Sequence, residues 1–363
     1  MHIFEEMAAC RPYQLVFWSE PEAGYRGIIA IHDTTLGPAL GGTRLWTYAS
    51  EADALTDALR LARGMTYKAA IAGLKLGGGK SVILADERQR DRERLFRAHG
   101  RAVESLGGRY ITAEDVGTSV DDMEFVRAET RWVAGVRGGS GDPSPATAHG
   151  VYQGIRACAR ERYGDPCLEG RHVTVQGVGH VGYQLCAELA AEGARLTIAD
   201  INPGSVECAV REFGATAVAA EAIYDVPADI FAPCALGGVI NDRTVARLRV
   251  DIVAGSANNQ LAEPRHGDAL QKRGILFAPD YVINAGGLIN VYGELHGWSV
   301  ERTRRKAAGI YDVVLNVFQR AREDAITAAE ASNRVALQIL TDARRPGSAE
   351  HGSHARRAVS MST

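Results

Sequence analysis

Residues 171–186 read RHVTVQGVGHVGYQLC, an apolar run that enters a glycine turn and continues with helical spacing. The turn has the form G-x-G-x-x-G and contains Gly177, Gly179 and Gly182. In such a turn the first glycine makes the tight bend, the second admits a pyrophosphate, and the third lets the helix pack on the strand. The pyrophosphate then lies at the positive end of the helix. The stretch therefore predicts a dinucleotide-binding unit of the Rossmann type.

An acid at the end of the next strand indicates which dinucleotide is bound. The apolar run 195–199 ends at Asp200, eighteen residues after the last glycine of the turn. A carboxylate at this point accepts hydrogen bonds from a ribose 2′-hydroxyl, whereas a 2′-phosphate would meet a like charge. Ile201, Asn202 and Pro203 follow it and supply no cation to offset that charge. The sequence thus favours NAD over NADP.

A second stretch, residues 62–81, reads ARGMTYKAAIAGLKLGGGKS and places Lys68 and Lys80 twelve residues apart. Lys68 closes a helical pattern, and Lys80 follows three glycines, whose lack of a Cβ lets the backbone approach a ligand closely. Two ammonium groups that converge on a cleft suit an anion, and burial with a neighbouring positive charge lowers the pKa of a lysine. Solvated lysines beside a flexible loop are the alternative, against which the apolar surroundings argue.

Strand and helix patterns alternate along the chain. Short apolar strands separated by helical stretches are predicted near Val173, Leu196, Ile230, Ile252 and Leu276. This alternation predicts a mostly parallel sheet. The part before residue 135 also alternates strands and helices, and residues 135–145, rich in Gly, Pro and Ser, are typical of a hinge. The predicted fold class is α/β, with two domains and a cleft between them.

Composition sets wider bounds. At 363 residues the chain exceeds a single typical core, so two domains are expected. A net charge of −3 gives no reason to expect nucleic acid or an anionic membrane as partner, and no apolar run is long enough to span a bilayer. The six cysteines and ten histidines have no metal-ligand spacing, so no metal site is predicted. Reduced thiols and the absence of a signal-peptide pattern favour the cytoplasm.

Further stretches make the pattern specific. They are IHDTTLGPALGGTR at 31–44, YITAEDVGT at 110–118, PSPATA at 143–148, FAPCALGG at 231–238, NNQ at 258–260 and PDYVINAGG at 279–287. With these stretches the chain resembles the amino-acid dehydrogenase family that includes the glutamate, leucine, valine and phenylalanine dehydrogenases. The resemblance runs from about residue 1 to about residue 343 and is strongest to the leucine dehydrogenases.

The resemblance implies a reaction and roles for three residues. The reaction is the reversible, NAD-dependent oxidative deamination of an L-amino acid to a 2-oxo acid and ammonia. Lys68 would bind the substrate carboxylate, and Lys80 would activate the water that attacks the iminium intermediate. Asp115 would orient the amino group and shuttle protons. A lysine serves as a base near neutral pH only when its pKa is depressed, and Lys68 together with burial would do this for Lys80.

The same resemblance assigns the substrate pocket. Leu40, Ala113 and Val291 would surround the substrate side chain, with Gly41 and Gly42 shaping the wall. Ala113 is larger than the glycine that relatives acting on aromatic substrates tend to have there, which favours leucine, isoleucine or valine. A glutamate side chain is not expected, since a buried carboxylate needs a cationic partner.

Contacts with the cofactor are implied in several loops besides the glycine turn. They are assigned to Thr147, His180, Val181, Asp200, Ile201, Cys234, Ala235, Asn258, Asn259 and Asn284. Asn259 would also contact the substrate. Cys234 is expected to pack as a small apolar residue, because the proposed chemistry needs no thiolate nucleophile.

The domain bounds and the assembly are also predictions. Residues 1–138 would form a domain for substrate binding and oligomerisation, and residues 139–324 the NAD-binding domain. By resemblance, helices within 325–345 fold back onto the first domain and the chain forms homo-oligomers. The polar tail 346–363 is predicted to be disordered.

Two alternatives remain open at this point. Tyr292 stands beside Val291, as in some relatives acting on aromatic amino acids, and keeps phenylalanine or tryptophan as a second substrate class. The other alternative is a non-catalytic NAD-binding sensor. Such a paralogue would usually have lost one of Lys68, Lys80 or Asp115, and all three are present.

Overall fold

The computed structural model describes residues 3–10, 13–86, 91–139 and 141–345, so the predicted disordered tail 346–363 lies outside the described residues. The strands are β1 Gln14–Glu20, β2 Tyr25–Asp33, β3 Ala39–Trp46, β4 Gly77–Leu84, β5 Tyr110–Glu114, β6 His172–Gln176, β7 Arg195–Ala199, β8 Thr216–Ala217, β9 Ile230–Pro233, β10 Ile252–Val253 and β11 Leu276–Phe277. The helices are α1 Ile3–Cys10, α2 Glu51–Ile71, α3 Arg92–Glu104, α4 Val120–Arg127, α5 Ser144–Tyr163, α6 His180–Ala191, α7 Pro203–Phe213, α8 Arg265–Lys272, α9 Asp280–Ile283, α10 Gly286–Leu295, α11 Val300–Ala308, α12 Ile310–Asp324 and α13 Ala328–Arg344.

The N-terminal part is built on a mixed five-stranded sheet in the order β1-β2-β4-β3-β5. Strand β2 pairs antiparallel with both β1 and β4, while β3 pairs parallel with β4 and β5. Strand β4 is therefore an inner strand, and Lys80 lies in its middle. Asp115 comes directly after β5, as predicted, and β5 is separated from β4 in the sheet by β3 alone.

The second sheet is parallel throughout and has the order β11-β10-β9-β6-β7-β8. Its strands begin near the five positions that the apolar runs predicted. Helices separate most of them, but the segment between β9 and β10 contains no helix, which departs from the predicted alternation. Strand β8 was not predicted, because its two residues are both exposed and form no apolar run. The glycine turn lies between β6 and α6, as expected. The two-domain α/β fold with a Rossmann-type parallel sheet is thus confirmed.

The three glycines at the start of β4 allow the protein to pack against itself. A Cβ on Gly78 would come within 2.0 Å of the backbone nitrogen of Thr66 in α2. A Cβ on Gly77 would meet the carbonyl oxygen of Asp33 at 1.9 Å. The glycines are therefore needed for close approach, as predicted, but the expectation that a ligand approaches them is wrong. The backbone of α2 and β2 fills that space instead.

Helices from the C-terminal half reach back to the first sheet. Helix α13 packs against α2, and the short helix α9 packs against α2 as well. Ala336 and Leu340 of α13 are buried against Ala70. These contacts agree with helices that fold back onto the N-terminal part, although the bounds at residues 138 and 324 remain predictions. Among the described helices, none is long and apolar enough to cross a bilayer.

We expect Gly78→Ala to lower the melting temperature, because its methyl group must push α2 away from β4. Overpacking of this kind costs about 1–3 kcal/mol. Gly64→Ala is the matched control, since Gly64 lies in α2 and a Cβ there meets nothing within 4 Å. That variant should be neutral or more stable by up to about 1 kcal/mol, because alanine favours the helix. Thermal unfolding of both variants would contradict this account if their melting temperatures changed equally.

Candidate active site

A cleft of about 660 Å³ lies between the two sheets and is lined by residues of both domains. It brings together eight residues that the sequence singled out: Leu40, Gly42, Lys68, Lys80, Ala113, Asp115, His180 and Val291. The first six come from the N-terminal part, His180 opens α6, and Val291 lies in α10. The predicted lysine pair, the carboxylate and the aliphatic residues therefore face one common space.

Lys80 and Asp115 form an ion pair at the floor of this cleft. The Lys80 Nζ atom lies 2.9 Å from Oδ2 of Asp115, and the Lys80 side chain is only 5% exposed. The same Oδ2 atom accepts a hydrogen bond from Nε of Arg44 at 3.0 Å. Arg44 in turn donates to Oδ2 of Asp57 at 2.8 Å. Two cations thus share one carboxylate oxygen of Asp115.

Burial and the ion pair determine how these groups titrate. Burial lowers the pKa of Lys80 below its ordinary value, although Asp115 opposes the shift. The charge of Arg44, which the sequence interpretation had not named, adds to the lowering. Burial alone would raise the pKa of Asp115, but Lys80 and Arg44 outweigh it and hold that pKa below its usual range. Asp115 is therefore ionised at neutral pH, and Lys80 loses its proton more easily than an exposed lysine.

Lys68 lies in the last turn of α2 and is partly exposed to the cleft. Burial lowers the pKa of Lys68 to about 8, and the charge of Lys80 reinforces this effect. Asp280 and Asp115 oppose it. A lysine with this pKa still carries its charge at neutral pH for the most part, so it suits the binding of a carboxylate.

Sequence reasoning missed the roles of Arg44 and Asp57. Leu40, Gly42 and Arg44 alternate along β3, so they share one face of the sheet, and the first two line the cleft. This period of two was the signal that could have placed Arg44 beside the cleft. Asp57 gave no such signal, because its approach to Arg44 depends on how α2 lies against the sheet.

The wall of the pocket differs from the prediction at one glycine. A Cβ on Gly42 would meet the carbonyl oxygen of Glu114 at 2.6 Å, so this glycine lets the segment carrying Asp115 lie close to β3. Gly41 is not a cleft residue, which corrects the prediction. A Cβ there would lie 1.7 Å from the carbonyl oxygen of Gly79, so Gly41 serves the packing of β3 on β4.

Tyr292 is not beside the pocket, which corrects a second expectation. It is 7% exposed, its ring stacks on His296 with centroids 4.0 Å apart, and it meets Trp298 edge-on at 5.1 Å. Because neighbouring residues of a helix point in different directions, Val291 faces the cleft while Tyr292 packs behind it.

The glycine turn has the shape that a dinucleotide requires. Gly177 has φ +92° and Gly182 has no room for a Cβ, which would lie 2.0 Å from the carbonyl oxygen of Gly177. A Cβ on Gly179 would meet nothing within 4 Å, so space remains beside the first turn of α6. His180 and Val181 form that turn. The free N–H groups of a helix N-terminus bind phosphate oxygens, and the residues present fit a pyrophosphate.

The carboxylate of Asp200 lies at the end of β7, next to the glycine turn. Its Oδ2 accepts from the backbone nitrogen of Val178 at 2.7 Å, and its Oδ1 accepts from that of Asn202 at 2.8 Å. These bonds fix the carboxylate while leaving lone pairs for a ribose hydroxyl. Ile201 beside it is 91% exposed. The arrangement fits the adenosine side of a dinucleotide.

The predicted amide residues form a connected group near α9. Nδ2 of Asn284 donates to Oδ1 of Asn258 at 2.8 Å, and Oδ1 of Asn284 is buried with no partner among the described residues. A buried acceptor without a partner fits a ligand that donates, such as a nicotinamide carboxamide. Thr147 donates its hydroxyl proton to the carbonyl of Pro143 at 2.9 Å, so it can only accept from a ligand.

Cys234 and Ala235 follow β9 and pack against the turn. The backbone nitrogen of Ala235 lies 2.8 Å from where a Cβ of Gly177 would be. Burial raises the pKa of the Cys234 thiol, which opposes formation of a thiolate. These residues therefore shape the turn rather than supply a nucleophile.

The structure brings together one group of possible metal ligands that the spacing of residues in the sequence had not indicated. Asp242, Glu263 and His266 place ligand atoms within 4.8 Å of one another. Arg265 already donates to Asp242 at 2.6 Å and to Glu263 at 3.0 Å. The two acids are thus paired with a guanidinium, and the group gives no support for a metal site.

Family models match two long segments of the chain. The model described as Glu/Leu/Phe/Val dehydrogenase, dimerisation domain, matches residues 13–132, and that described as Glutamate/Leucine/Phenylalanine/Valine dehydrogenase matches residues 202–346. The chain belongs to the Glu/Leu/Phe/Val dehydrogenase family. It is therefore an amino-acid dehydrogenase, an oxidoreductase that uses a pyridine nucleotide.

Individual relatives of this dehydrogenase differ in their named substrates. It is similar to the leucine dehydrogenase of Thermoactinomyces intermedius, with 57% identity over 94% of each chain. It is 50% identical to the valine dehydrogenase of Streptomyces albus over 91% of this chain and 93% of the relative. The crystal structure of L-tryptophan dehydrogenase from Nostoc punctiforme superposes with a TM-score of 0.86 at 44% identity, covering 94% of this chain and 99% of that one.

We expect Arg44→Met to destabilise the dehydrogenase at neutral pH by about 1–3 kcal/mol, because it leaves Asp57 and Asp115 without their shared cation. Arg60→Met is the matched control. Arg60 also reaches Asp57, at 3.3 Å, but its side chain is 67% exposed, so its loss should cost less than about 0.5 kcal/mol.

The pH dependence of that difference follows from Asp115. Its pKa in the folded protein lies below the ordinary value of 3.8, so its contribution to stability is present above that pH and is lost as the pH falls through the folded value. Denaturant midpoints of wild type and Arg44→Met should therefore converge in acid. A difference that stays constant down to that range would contradict the assignment.

Proposed function

We propose that this dehydrogenase catalyses the reversible, NAD-dependent oxidative deamination of a branched-chain aliphatic L-amino acid, with leucine foremost and valine and isoleucine also accepted. The observation that carries the proposal is one cleft that holds Lys68, Lys80 and Asp115 beside the aliphatic side chains of Leu40 and Val291. The leucine dehydrogenases at 53–57% identity support leucine, and the valine dehydrogenase supports the wider aliphatic class.

The charged groups have complementary tasks in this proposal. Lys68 binds the substrate carboxylate through its ammonium. Lys80, whose pKa burial lowers, removes a proton from the water that attacks the iminium carbon. Asp115 remains ionised, so it accepts a hydrogen bond from the substrate amino group and passes its proton on. The nicotinamide, when bound, supplies the hydride acceptor.

NAD is the proposed cofactor, held by the glycine turn, Asp200 and the amides near α9. Asp200 favours the unphosphorylated ribose, and the exposed Ile201 beside it carries no charge that could bind a 2′-phosphate. Homo-oligomers are proposed as well, supported by the description of residues 13–132 as a dimerisation domain. A cytoplasmic location remains a prediction.

The charges around the cleft disfavour a glutamate side chain. Glu114 and Glu294 both line the cleft and would repel a second substrate carboxylate. Arg137 lines it too, but its guanidinium pairs with Asp121 at 2.5 Å. Tyr292 no longer supports an aromatic substrate, because its ring packs away from the cleft. They stay a second candidate because of the tryptophan dehydrogenase among the similar structures.

Separate substitutions distinguish the roles of the two lysines. Lys80→Ala should lower kcat by about 10²–10⁴, because it removes the base, and leave substrate binding measurable. Lys68→Ala should raise KM strongly, because it removes the counter-charge of the carboxylate. Lys75→Ala is the matched control, since Lys75 lies between them in sequence and is exposed. Equal, mild effects of all three substitutions in steady-state kinetics would count against both roles.

A steady-state panel tests the substrate. We expect kcat/KM to rank leucine, isoleucine and valine above phenylalanine, with glutamate negligible, and NAD to be preferred to NADP. Ala113→Gly should favour phenylalanine by up to about 100-fold relative to leucine, since it enlarges the pocket by one methyl. Tyr292→Phe should leave the ranking unchanged. A wild type that prefers phenylalanine or tryptophan would overturn the assignment of Ala113 as the residue that limits size.

A further inference from the structure

Asp280 is a carboxylate at the domain boundary that has no role in the proposed reaction. It is the first residue of α9 and follows β11 in the second sheet. Its Oδ2 accepts a hydrogen bond from the backbone nitrogen of Asn259. Asn259 has φ +52°, a left-handed conformation that is uncommon for residues other than glycine. The carboxylate therefore holds the Asn259 backbone in an unfavourable geometry.

The same residue lies on a helix that packs against the substrate-binding part of the chain. Helix α9 packs against α2, whose last turn carries Lys68. Three charged groups act on Lys68: Asp280 from α9, Lys80 from β4 and Asp115 from the loop after β5. Among them Asp280 has the largest effect and favours the ammonium form. Burial raises the pKa of Asp280 itself, and the charge of Lys68 opposes that shift. Each group thus stabilises the ionised form of the other.

We propose that Asp280 is a positioning residue that joins the two halves of the active site, by fixing Asn259 in the dinucleotide domain and keeping Lys68 charged in the substrate domain. The inference rests on the proposed role of Lys68. Substrate carboxylate and cofactor amide contacts then depend on one side chain, which reaches its place only when α9 lies on α2. Asp280 acts through Lys68 and Asn259 and does not touch the reacting atoms.

The effect of Asp280 on the charge of Lys68 can be measured through the binding of a leucine analogue that has no amino group. 4-Methylpentanoate has the carboxylate and side chain of leucine but no amino group, so its charge stays constant between pH 6.5 and 9.5. Its inhibition constant against L-leucine at saturating NAD should rise in the wild type above about pH 8, where Lys68 loses its proton. In Lys68→Arg the rise should vanish, because arginine stays protonated.

Asp280→Asn removes the negative charge while its amide oxygen can still accept from Asn259. The rise should then begin at lower pH, with inhibition weakened about 3- to 10-fold at pH 8 and little changed at pH 6.5. Asp312→Asn makes the same change at an exposed position of α12 and should match the wild type. If Asp280→Asn does not fold, the same profile is measured on Asp280→Ser, whose hydroxyl can also accept the bond.

The outcomes separate the two proposals. A wild-type inhibition constant that stays flat over the whole range overturns the role of Lys68, and the inference about Asp280 falls with it. A wild-type rise that Lys68→Arg abolishes but neutral Asp280 variants leave in place overturns the inference alone. The inference is supported if the rise in the inhibition constant begins at lower pH in the Asp280 variants but at the wild-type pH in Asp312→Asn. The double variant of Asp280 with Lys68→Arg should then show no rise.

Discussion

The close contact between α2 and the inner strand β4 is the constraint on which the site depends. The missing Cβ atom of Gly77 makes room for the backbone of Asp33 at the end of β2, and that of Gly78 lets the helix backbone lie directly on β4. Because Lys68 stands in the last turn of that helix and Lys80 on that strand, the contact sets how the two ammonium groups face the cleft. Any side chain between helix and strand would move one lysine relative to the other.

Charge balance then decides what each group can do. Asp115 receives both Lys80 and Arg44 on one oxygen, so it keeps its negative charge in spite of burial. Burial and the charge of Arg44 outweigh the opposing effects of Asp115 and Asp57 on Lys80, so its proton is held less firmly. A lysine with a lowered pKa and an ionised carboxylate therefore lie 2.9 Å apart in one network. The surroundings lower the pKa of both neighbours, and shifted pKa values of this kind cluster at functional sites.

The site is complete only where the two domains meet. The backbone nitrogen of Gly135, in the predicted hinge segment, donates to Glu294 of α10 at 3.0 Å. Helices α9 and α13 add contacts to α2. These links connect the aliphatic wall on α10 to the lysines on the first sheet. Under the proposed function, segments from both halves of the chain would bind the substrate and the cofactor.

The sequence by itself determined the features that depend on neighbouring residues. The glycine turn, the alternation that predicts a parallel sheet, and the spacing of Lys68, Lys80 and Asp115 all follow from local backbone requirements. The two-domain fold and the family were predictable for this reason. The triple glycine was also recognised as a place of close approach, because only its missing Cβ atoms had to be known.

Only the tertiary structure decided which partners these segments meet. Arg44 reaches Asp115 across 71 positions, and Asp280 reaches Asn259 across 21, so no local pattern records either contact. Tyr292 stands next to a pocket residue in sequence, yet the rotation of a helix turns its ring toward His296 and Trp298. Periodicity tells which residues share a face, whereas the packing of distant elements decides what that face touches.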